Sequence, residues 1–442
     1  MALSGLDIYK LLPKTNCKEC GFATCLAFAM QLAKKAVTID KCPFISSESK
    51  KILEESGQPP IKLVSIGSGE NKLDIGNETV LFRHEEKFHH PAGLGFIIED
   101  SLKNEEILKK LKKVNSLTFE RVGQVLCPNL VAIKQKGDAA RFSDVVKLVS
   151  GNTKLALVLI CNDLGSLKSA LEVSSGNKPL VYYTGSTGLD EVCPLIKNSD
   201  ASIVASAPDL ERLSDLTKKI SSYDIQQIVL DTGKKDINDK IWDLTQIRRL
   251  ALKKSDRSLG YPVLCVVDEA DPYEEIQQAS TFIAKYAAIV LIKGIEQWQA
   301  LAMLTLRQNI YTDPQKPLQI EPKVYPIGNV NNKSPVLLTT NFSLSYYTVL
   351  GEVEASKVPS YIVSIDTEGM SVLTAWAAEK FTPDKITDSI SKLGVKGLVS
   401  HNNLVIPGYV AVMSGELEDK SGWKVIVGPK EAAGIPSFLK NI

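Results

Sequence analysis

Leu155-Ala156-Leu157-Val158-Leu159-Ile160-Cys161-Asn162-Asp163 is an apolar run that closes on two polar residues. The run is about strand length, far short of the ~20 residues a membrane span needs. A charged amphipathic stretch, Asp163–Val173, follows it, and the same alternation recurs on either side. Apolar, β-branched runs begin near Leu94, Leu130, Leu155, Leu180, Ser202, Gln227, Val263 and Ala288, at spacings of 36, 25, 25, 22, 25, 36 and 25 residues. Each gap holds an amphipathic stretch, Asp209–Ile220 being another clear one. Buried strands alternating with helices indicate parallel βα units. Eight of them in near-equal succession favour closure into a (β/α)8 TIM barrel over an open doubly wound sheet.

The 442 residues are enough for about three domains. Fifty-two basic against 51 acidic residues leave a net charge of +1. That balance gives neither a nucleic-acid footprint nor a polybasic membrane patch. The opening Met1-Ala2-Leu3-Ser4-Gly5-Leu6-Asp7 shows no basic and apolar signal-peptide regions, so a cytoplasmic protein is expected.

Four of the eight cysteines fall in the first 42 residues, as C-x2-C-x4-C-x16-C at Cys17, Cys20, Cys25 and Cys42, with Pro43 next. A cytoplasmic chain of this length needs no disulfides, so the cluster points to metal ligation. Ser4-Gly5-Leu6-Asp7 predicts a capped helix ending near Pro13. Lys14–Gly21 reads as a loop carrying Cys17 and Cys20, and Thr24 as the cap of a helix over Cys25–Lys35. Cys25 would then sit in the first turn, where free N–H groups favour a thiolate. An iron–sulfur cluster, structural zinc and unliganded thiols all remain compatible with the spacing. Zinc sites usually show a second short pair, absent here, and Cys-Pro occurs in iron–sulfur loops. Cys161 and Cys265 lie in apolar runs and read as buried thiols.

Ser56-Gly57-Gln58-Pro59-Pro60 reads as a linker, and Gly67-Ser68-Gly69 as a hairpin turn. The third glycine of a dinucleotide loop is missing there, and no G-x4-G-K-[ST] sequence occurs. Barrel chemistry belongs where strands end, at Asn162-Asp163, Thr184-Gly185, Asp231-Thr232-Gly233 and Asp268-Glu269. Without a paired base or metal ligand, helix capping and tight turns are the expected roles. His84, His89 and His90 lack helical i, i+4 spacing and read as structural or solvated.

Tyr311-Thr312-Asp313-Pro314 ends the barrel, and a Pro- and Asn-rich stretch runs from Lys316 to Pro335. A second α/β region follows, with strands expected at Val336–Thr340, Tyr361–Ile365, Leu404–Met413 and Lys424–Val427 and a helix at Met370–Lys380. Strand–glycine–helix joints leave N–H groups open to amide and phosphate ligands.

Taken together, the cysteine spacing, the barrel and the small C-terminal α/β region resemble one family over essentially the whole chain. It is the large (gamma) subunit of the corrinoid iron–sulfur protein of the acetyl-CoA (Wood–Ljungdahl) pathway. The residues carrying the resemblance include Gly5-Leu6-Asp7-Ile8-Tyr9-Lys10, Leu81-Phe82-Arg83-His84 and Thr339-Thr340-Asn341-Phe342-Ser343-Leu344. Gly422-Trp423-Lys424-Val425-Ile426-Val427-Gly428-Pro429 and Glu431-Ala432 add to it.

The resemblance implies a 4Fe–4S cluster on Cys17, Cys20, Cys25 and Cys42, and a corrinoid in a Rossmann-like C-terminal α/β domain. It implies a small subunit as heterodimer partner. Cobalt would take a methyl group from methyltetrahydrofolate through a methyltransferase and pass it to the carbon monoxide dehydrogenase/acetyl-CoA synthase. The cluster would reactivate cob(II) to cob(I), and the barrel would serve mainly as a docking scaffold. The expected division is a cluster domain over 1–58, a linker and hairpin over 59–92, the barrel over 93–315 and the corrinoid domain over 325–442. Many cobalamin domains use D-x-H-x-x-G, but His90-Pro91-Ala92-Gly93 follows Phe88 and lies in the wrong domain, and His401 precedes Asn-Asn-Leu. A corrinoid without a protein histidine on cobalt is therefore expected. Corrinoid contacts are expected at strand-to-helix joints: Thr340, Asn341, Ser343, Tyr346, Gly369, Met370, Ser371, Val372, Leu373, Gly408, Gly428, Pro429 and Ala433. Two other readings stand beside this one: an iron–sulfur electron-transfer subunit without corrinoid, and a barrel pterin methyltransferase using Asp231 and Asn162.

Overall fold

The computed structural model describes residues 4–34, 36–233 and 236–442. Contacts divide the chain into two units, Met1–Phe119 with Leu126–Tyr311, and Glu120–Val125 with Thr312–Ile442.

The first unit opens on two helices whose ends follow from their sequence. The Ser4 hydroxyl accepts the Asp7 N–H (3.2 Å) ahead of helix Gly5–Leu11, which stops before Pro13. Thr24 likewise accepts the Ala27 N–H (3.1 Å) and starts helix Cys25–Ala33. That helix is shorter than Cys25–Lys35, and Lys35 lies outside the described residues. The two helices and the turn Ile39–Lys41 enclose a small core of Ile8, Leu12, Phe28, Ala29, Ile39 and Leu53, joined by Cys25 and Cys42. A core of this size supplies little net stability, the situation in which small modules rely on a metal or cluster as a staple.

Strands β1 (Ile61–Ile66) and β2 (Leu73–Glu78) pair antiparallel around the turn at Gly67-Ser68-Gly69. Gly67 and Gly69 both have positive φ, which glycine adopts without a Cβ clash. Val64, Ile66 and Ile75 pack among Leu130, Val158, Val204 and Leu264 of the barrel interior. The hairpin is tied to residues that precede barrel strands: Lys62 N–H donates to Gly260 O (2.9 Å), Gly67 N–H to Lys178 O (2.8 Å), and Ser65 N–H to Gln227 Oε1 (2.8 Å). It therefore plugs the N-terminal end of the barrel and leaves the C-terminal end open.

The barrel contains β3 (Gly93–Glu99), and its connection to the next barrel strand carries a two-stranded excursion, β4 (Phe119–Arg121) and β5 (Gln124–Leu126). The turn between them, Val122-Gly123, has positive φ at both residues but lacks the Asn-Gly or Asp-Gly signal that would have revealed it. The remaining barrel strands are β6 (Leu130–Lys134), β7 (Ala156–Cys161), β8 (Leu180–Tyr183), β9 (Ser202–Ser206), β10 (Ile228–Asp231), β11 (Val263–Val266) and β12 (Ala287–Ile292). All neighbours are parallel, and β12 pairs with β3 to close the barrel as expected. Helices Leu164–Val173 and Leu210–Ser222 follow their predicted starts, with Asp163 and Asp209 as side-chain caps.

The second unit is a five-stranded sheet of order β13-β15-β14-β16-β17. Its strands are β13 (Val324–Ile327), β14 (Val336–Thr340), β15 (Ser360–Ile365), β16 (Asn403–Ile406) and β17 (Lys424–Val427). β14 through β17 run parallel, whereas β13 is an antiparallel edge strand carrying Pro326, so the sheet is mixed. Two expectations fail locally. The strand expected over Leu404–Met413 ends at Ile406, because Pro407 has no N–H to extend the ladder and Gly408 donates instead to Pro429 O (3.1 Å). Its remainder is the turn Gly408–Met413, and the helix expected over Met370–Lys380 covers only Val372–Ala377. Among the described residues no helix is long and apolar enough to cross a membrane.

Candidate functional site

In the second unit the chain leaves β14 toward β15 on one side and returns as β16 on the other. That reversal makes the carboxyl ends of β14 and β16 a topological switch point, where open α/β sheets leave a crevice for ligands. A cavity of about 380 Å³ lies there. Its floor is Leu337, Leu338, Val405 and Ile406, and its walls include Phe342, Val372, Leu373, Pro407, Tyr409 and Phe438. Hydroxyl groups come from Thr339, Ser345, Thr348 and Ser371, and among the described residues Lys430 is the single charged residue in the lining.

Two loops are stitched together to form the rim. A Cβ on Gly408 would lie 2.5 Å from Gly428 O and 2.8 Å from Lys430 N, so only glycine permits the approach. Tyr409 completes the seam by donating its hydroxyl to the Glu431 carboxylate. Helix Ser343–Ser356 begins at the cavity without a side-chain cap. The result is an apolar cradle with few polar groups, suited to a ligand whose buried part is largely uncharged.

Of the residues expected from sequence, Ser371, Val372, Leu373, Gly428 and Pro429 line this cavity, and Gly408 supports its rim. The others have different surroundings. Asn341 is buried, and its Oδ1 accepts from Thr367 N (2.9 Å) and Gly369 N (3.0 Å) while its Nδ2 donates to Gln319 and Asp366, so it pins the loop after β15. Gly369 has the positive φ which that loop needs, and Met370 packs against the core. Tyr346 is buried with its ring centroid 4.6 Å from that of Tyr325 and 5.2 Å from that of Tyr347, and burial pushes its phenol up to about 12. Ser343 is buried and gives its N–H to Leu318 O (2.9 Å), and Ala433 is exposed. Thr340 is fully buried, and its hydroxyl has no hydrogen-bond partner among the described residues. Thr339, Phe342, Ser345, Pro407, Tyr409 and Lys430 were missed. The paired joints Pro407-Gly408 and Gly428-Pro429 were the available signal for the last three.

His401, the histidine of this unit, is engaged at both ring nitrogens, 3.1 Å from Ser334 O and 3.1 Å from the Asn403 N–H. It does not line the cavity.

At the other end of the chain, the loop bearing Cys17 and Cys20 is held in unusual backbone conformations, with positive φ at Lys14, Asn16, Lys18 and Gly21. Asn16 Oδ1 accepts the Cys25 N–H (2.8 Å), tying that loop to the helix start. Cys25 and Cys42 are buried in one small core with Cys20 packed against it, whereas Cys17 is exposed. The donor chemistry, thiols only, fits an iron–sulfur cluster or zinc. No group of three or more His, Cys, Asp or Glu side chains is gathered as a metal site among the described residues.

The open end of the barrel holds another cavity, of about 260 Å³, lined in part by charged residues. Asp231 is buried and accepts from the Lys240 ammonium, the Tyr182 hydroxyl and Gly233 N (3.1 Å). Burial pulls the Lys240 ammonium down, but the Asp231 charge and hydrogen bond, together with Cys265 and Asp243, outweigh it, so the group titrates above its ordinary value. Burial and then the Asp231 carboxylate push the Tyr182 phenol up. Asp268 pairs with Lys293 and, at 3.7 Å, with Lys134, while Glu269 accepts from Gln278 (2.8 Å). Asp163 caps its helix, accepting from Ser166 N (2.6 Å). Asp163 is thus the helix cap that the capping and turn reading expected, whereas Asp231 and Asp268 are held in ion pairs with Lys240, Lys293 and Lys134 that it did not foresee. The three earlier histidines are equally ordinary: His84 stacks on Phe82, His89 lies 3.6 Å from Glu86, and His90 Nδ1 lies 2.9 Å from Gly76 O.

Comparison with known proteins covers the whole chain. Residues 63–439 match the family described as CO dehydrogenase/acetyl-CoA synthase delta subunit, and residues 12–44, which contain all four N-terminal cysteines, match a putative Fe-S cluster family. The corrinoid/iron-sulfur protein large subunit of Moorella thermoacetica is 43% identical over 100% of this chain and 99% of its own length. The acetyl-CoA decarbonylase/synthase complex subunit gamma of Methanothermobacter thermautotrophicus is 36% identical, again over 100% of this chain and 99% of its own. Among solved structures, a dihydropteroate synthase from Xanthomonas albilineans reaches a TM-score of 0.39 at 14% identity, over 51% of this chain and 94% of that one.

Proposed function

We propose a methyl-carrying function for this chain, which belongs to the family of the CO dehydrogenase/acetyl-CoA synthase delta subunit and of the corrinoid/iron–sulfur protein large subunits. It is the methyl-carrying component of a corrinoid-dependent methyltransferase system of the acetyl-CoA pathway. The observation that carries the finer reading is the apolar cavity at the switch point between β14 and β16.

Ser371, Val372, Leu373, Gly428 and Pro429 would hold the corrinoid there, with Thr339, Phe342, Pro407 and Tyr409 beside them. The close approach at Gly408 would hold the two rim loops together around the ligand's buried part. When bound, the corrinoid supplies a cobalt centre that takes up and releases the methyl group, and the cluster supplies reducing electrons. Both His401 nitrogens already have protein partners, which supports a cobalt without a protein histidine. Cys17, Cys20, Cys25 and Cys42 would hold a 4Fe–4S cluster, with Asn16 keeping the loop against the helix that starts at Cys25.

The donor would be methyltetrahydrofolate through a separate methyltransferase, and the acceptor the acetyl-CoA synthase. The small subunit would complete a heterodimer, in the cytoplasm and without nucleic acid or membrane. The closed Asp231–Lys240–Tyr182 set counts against a pterin methyltransferase in the barrel, because the carboxylate is already committed to three donors.

The test is metal content of protein purified anaerobically from its native host. About four iron atoms and about one cobalt per chain are expected. Iron without cobalt, after excluding corrinoid loss, would leave an electron-transfer subunit. Zinc in place of iron would end the redox role.

A further inference from the structure

The charge distribution in the C-terminal cavity is lopsided. Among the described residues its lining is aliphatic, aromatic or hydroxylic, with no carboxylate and one cation, Lys430. Lys430 follows the Gly428-Pro429 joint at the rim, is exposed, and has no ion-pair or hydrogen-bond partner among the described residues. Its acidic neighbour Glu431 is held aside by the Tyr409 hydroxyl. The backbone beneath Lys430 is fixed by the close approach of Gly408, so the ammonium stem starts from a defined place. An apolar chamber with, among the described residues, one unpaired lysine at its rim is complementary to a ligand with an uncharged aromatic or aliphatic end and one negative charge just outside it.

We propose that Lys430 is the specificity-determining residue of this cavity, pairing with a phosphate-type anion that joins the buried end of the ligand to the part outside. This rests on the corrinoid reading. There, the cavity volume of about 380 Å³ takes a nucleoside-sized appendage and leaves the macrocycle outside. The phosphodiester linking appendage to macrocycle is then the one anionic group that passes the rim. Lysine recognises phosphate as a point charge without directional demand, so arginine should substitute and a neutral side chain should not.

The experiment uses the full-length chain freed of corrinoid and titrated, by visible absorbance, with cobinamide, cobinamide phosphate and cobalamin. This series adds the phosphate first and the nucleoside second. In the wild type, adding the phosphate should tighten binding about tenfold. In Lys430→Met that gain should fall to about twofold or less, with cobinamide affinity unchanged and the further gain from the nucleoside retained. Lys430→Arg should restore the phosphate gain. The gain should also shrink between ~50 and ~300 mM salt in the wild type and not in Lys430→Met, a dependence that a structural lysine would not produce. A full phosphate gain in Lys430→Met overturns the assignment while leaving the corrinoid reading intact. Failure of the wild type to bind any of the three corrinoids overturns both.

Discussion

The cradle depends on two loops meeting at Gly408, and Gly408→Ala tests that dependence. The added methyl would lie 2.5 Å from Gly428 O and 2.8 Å from both Lys430 N and Pro429 C. All three atoms are backbone, so no side chain can rotate away and one loop must retreat. Overpacking of this kind costs about 1–3 kcal/mol. The hydrogen bond from Gly408 N to Pro429 O, 3.1 Å long, is lost or stretched in the same movement, adding about 1 kcal/mol. The sum is about 2–4 kcal/mol. For a unit of this size it corresponds to a fall in melting temperature of roughly 6–15 °C. Gly415→Ala is the internal control. It lies in helix Ser414–Ser421, its Cβ would meet nothing within 4 Å, and alanine is favoured over glycine in a helix by up to about 1 kcal/mol. The two variants should therefore shift stability in opposite directions. Scanning calorimetry reads the transition, and titration with cobalamin reads the cradle, whose affinity should drop in Gly408→Ala alone. A Gly408→Ala protein melting within about 1 °C of wild type would refute the reasoning, since it would mean the loops part without cost.

Arg248→Met should destabilise the first unit by about 3–5 kcal/mol in a urea titration, because it strands the buried Glu78 carboxylate that lies 3.1 Å from Arg248 Nη2. It also removes the guanidinium from its place 4.6 Å from the Phe88 ring and 4.7 Å from that of Tyr286. Brief alkylation of the cluster-free protein at about pH 8 should label Cys17 and Cys127, which are exposed, and spare Cys161 and Cys265, whose thiols burial pushes up to about 12. Peptide mass spectrometry after assembly of the cluster should then show Cys17 protected and Cys127 still labelled.

Legibility from the sequence followed the range of the interactions involved. The barrel could be read because each βα unit announces itself within 22 to 36 residues, and each strand needs only an apolar run such as Leu155–Cys161. The helix starts at Asp163 and Asp209 were legible for the same reason, since the capping donor sits three residues on. The β4–β5 excursion and β13 were not. The first turns on Val122-Gly123, where a β-branched residue takes positive φ against its propensity, and the second carries Pro326, which normally argues against a strand.

The candidate site divides along the same line. The four cysteines were legible because thiols at that spacing have few other uses in a long chain. The plug at the N-terminal end of the barrel was not, although it decides which end stays open. Gly67 N–H meets Lys178 O, and Ser65 N–H meets Gln227, across separations that no local pattern records. In the C-terminal unit, choosing strand-to-helix joints found Ser371–Leu373 and Gly428-Pro429, since β15 and β17 end where their apolar runs end. It misjudged Asn341, a polar residue at such a joint whose amide is consumed in holding the neighbouring loop. It missed Tyr409 because the apolar run Leu404–Met413 looks like one strand. Pro407, which has no N–H, ends it at Ile406, and the close passage of Gly408 under Gly428 sets the rim where Tyr409 meets Glu431. Among the described residues, the one charged group of the cavity, Lys430, is placed by the contact of Gly408 with Gly428, twenty residues on. That is why its partner chemistry had to be read from the structure and not from the sequence.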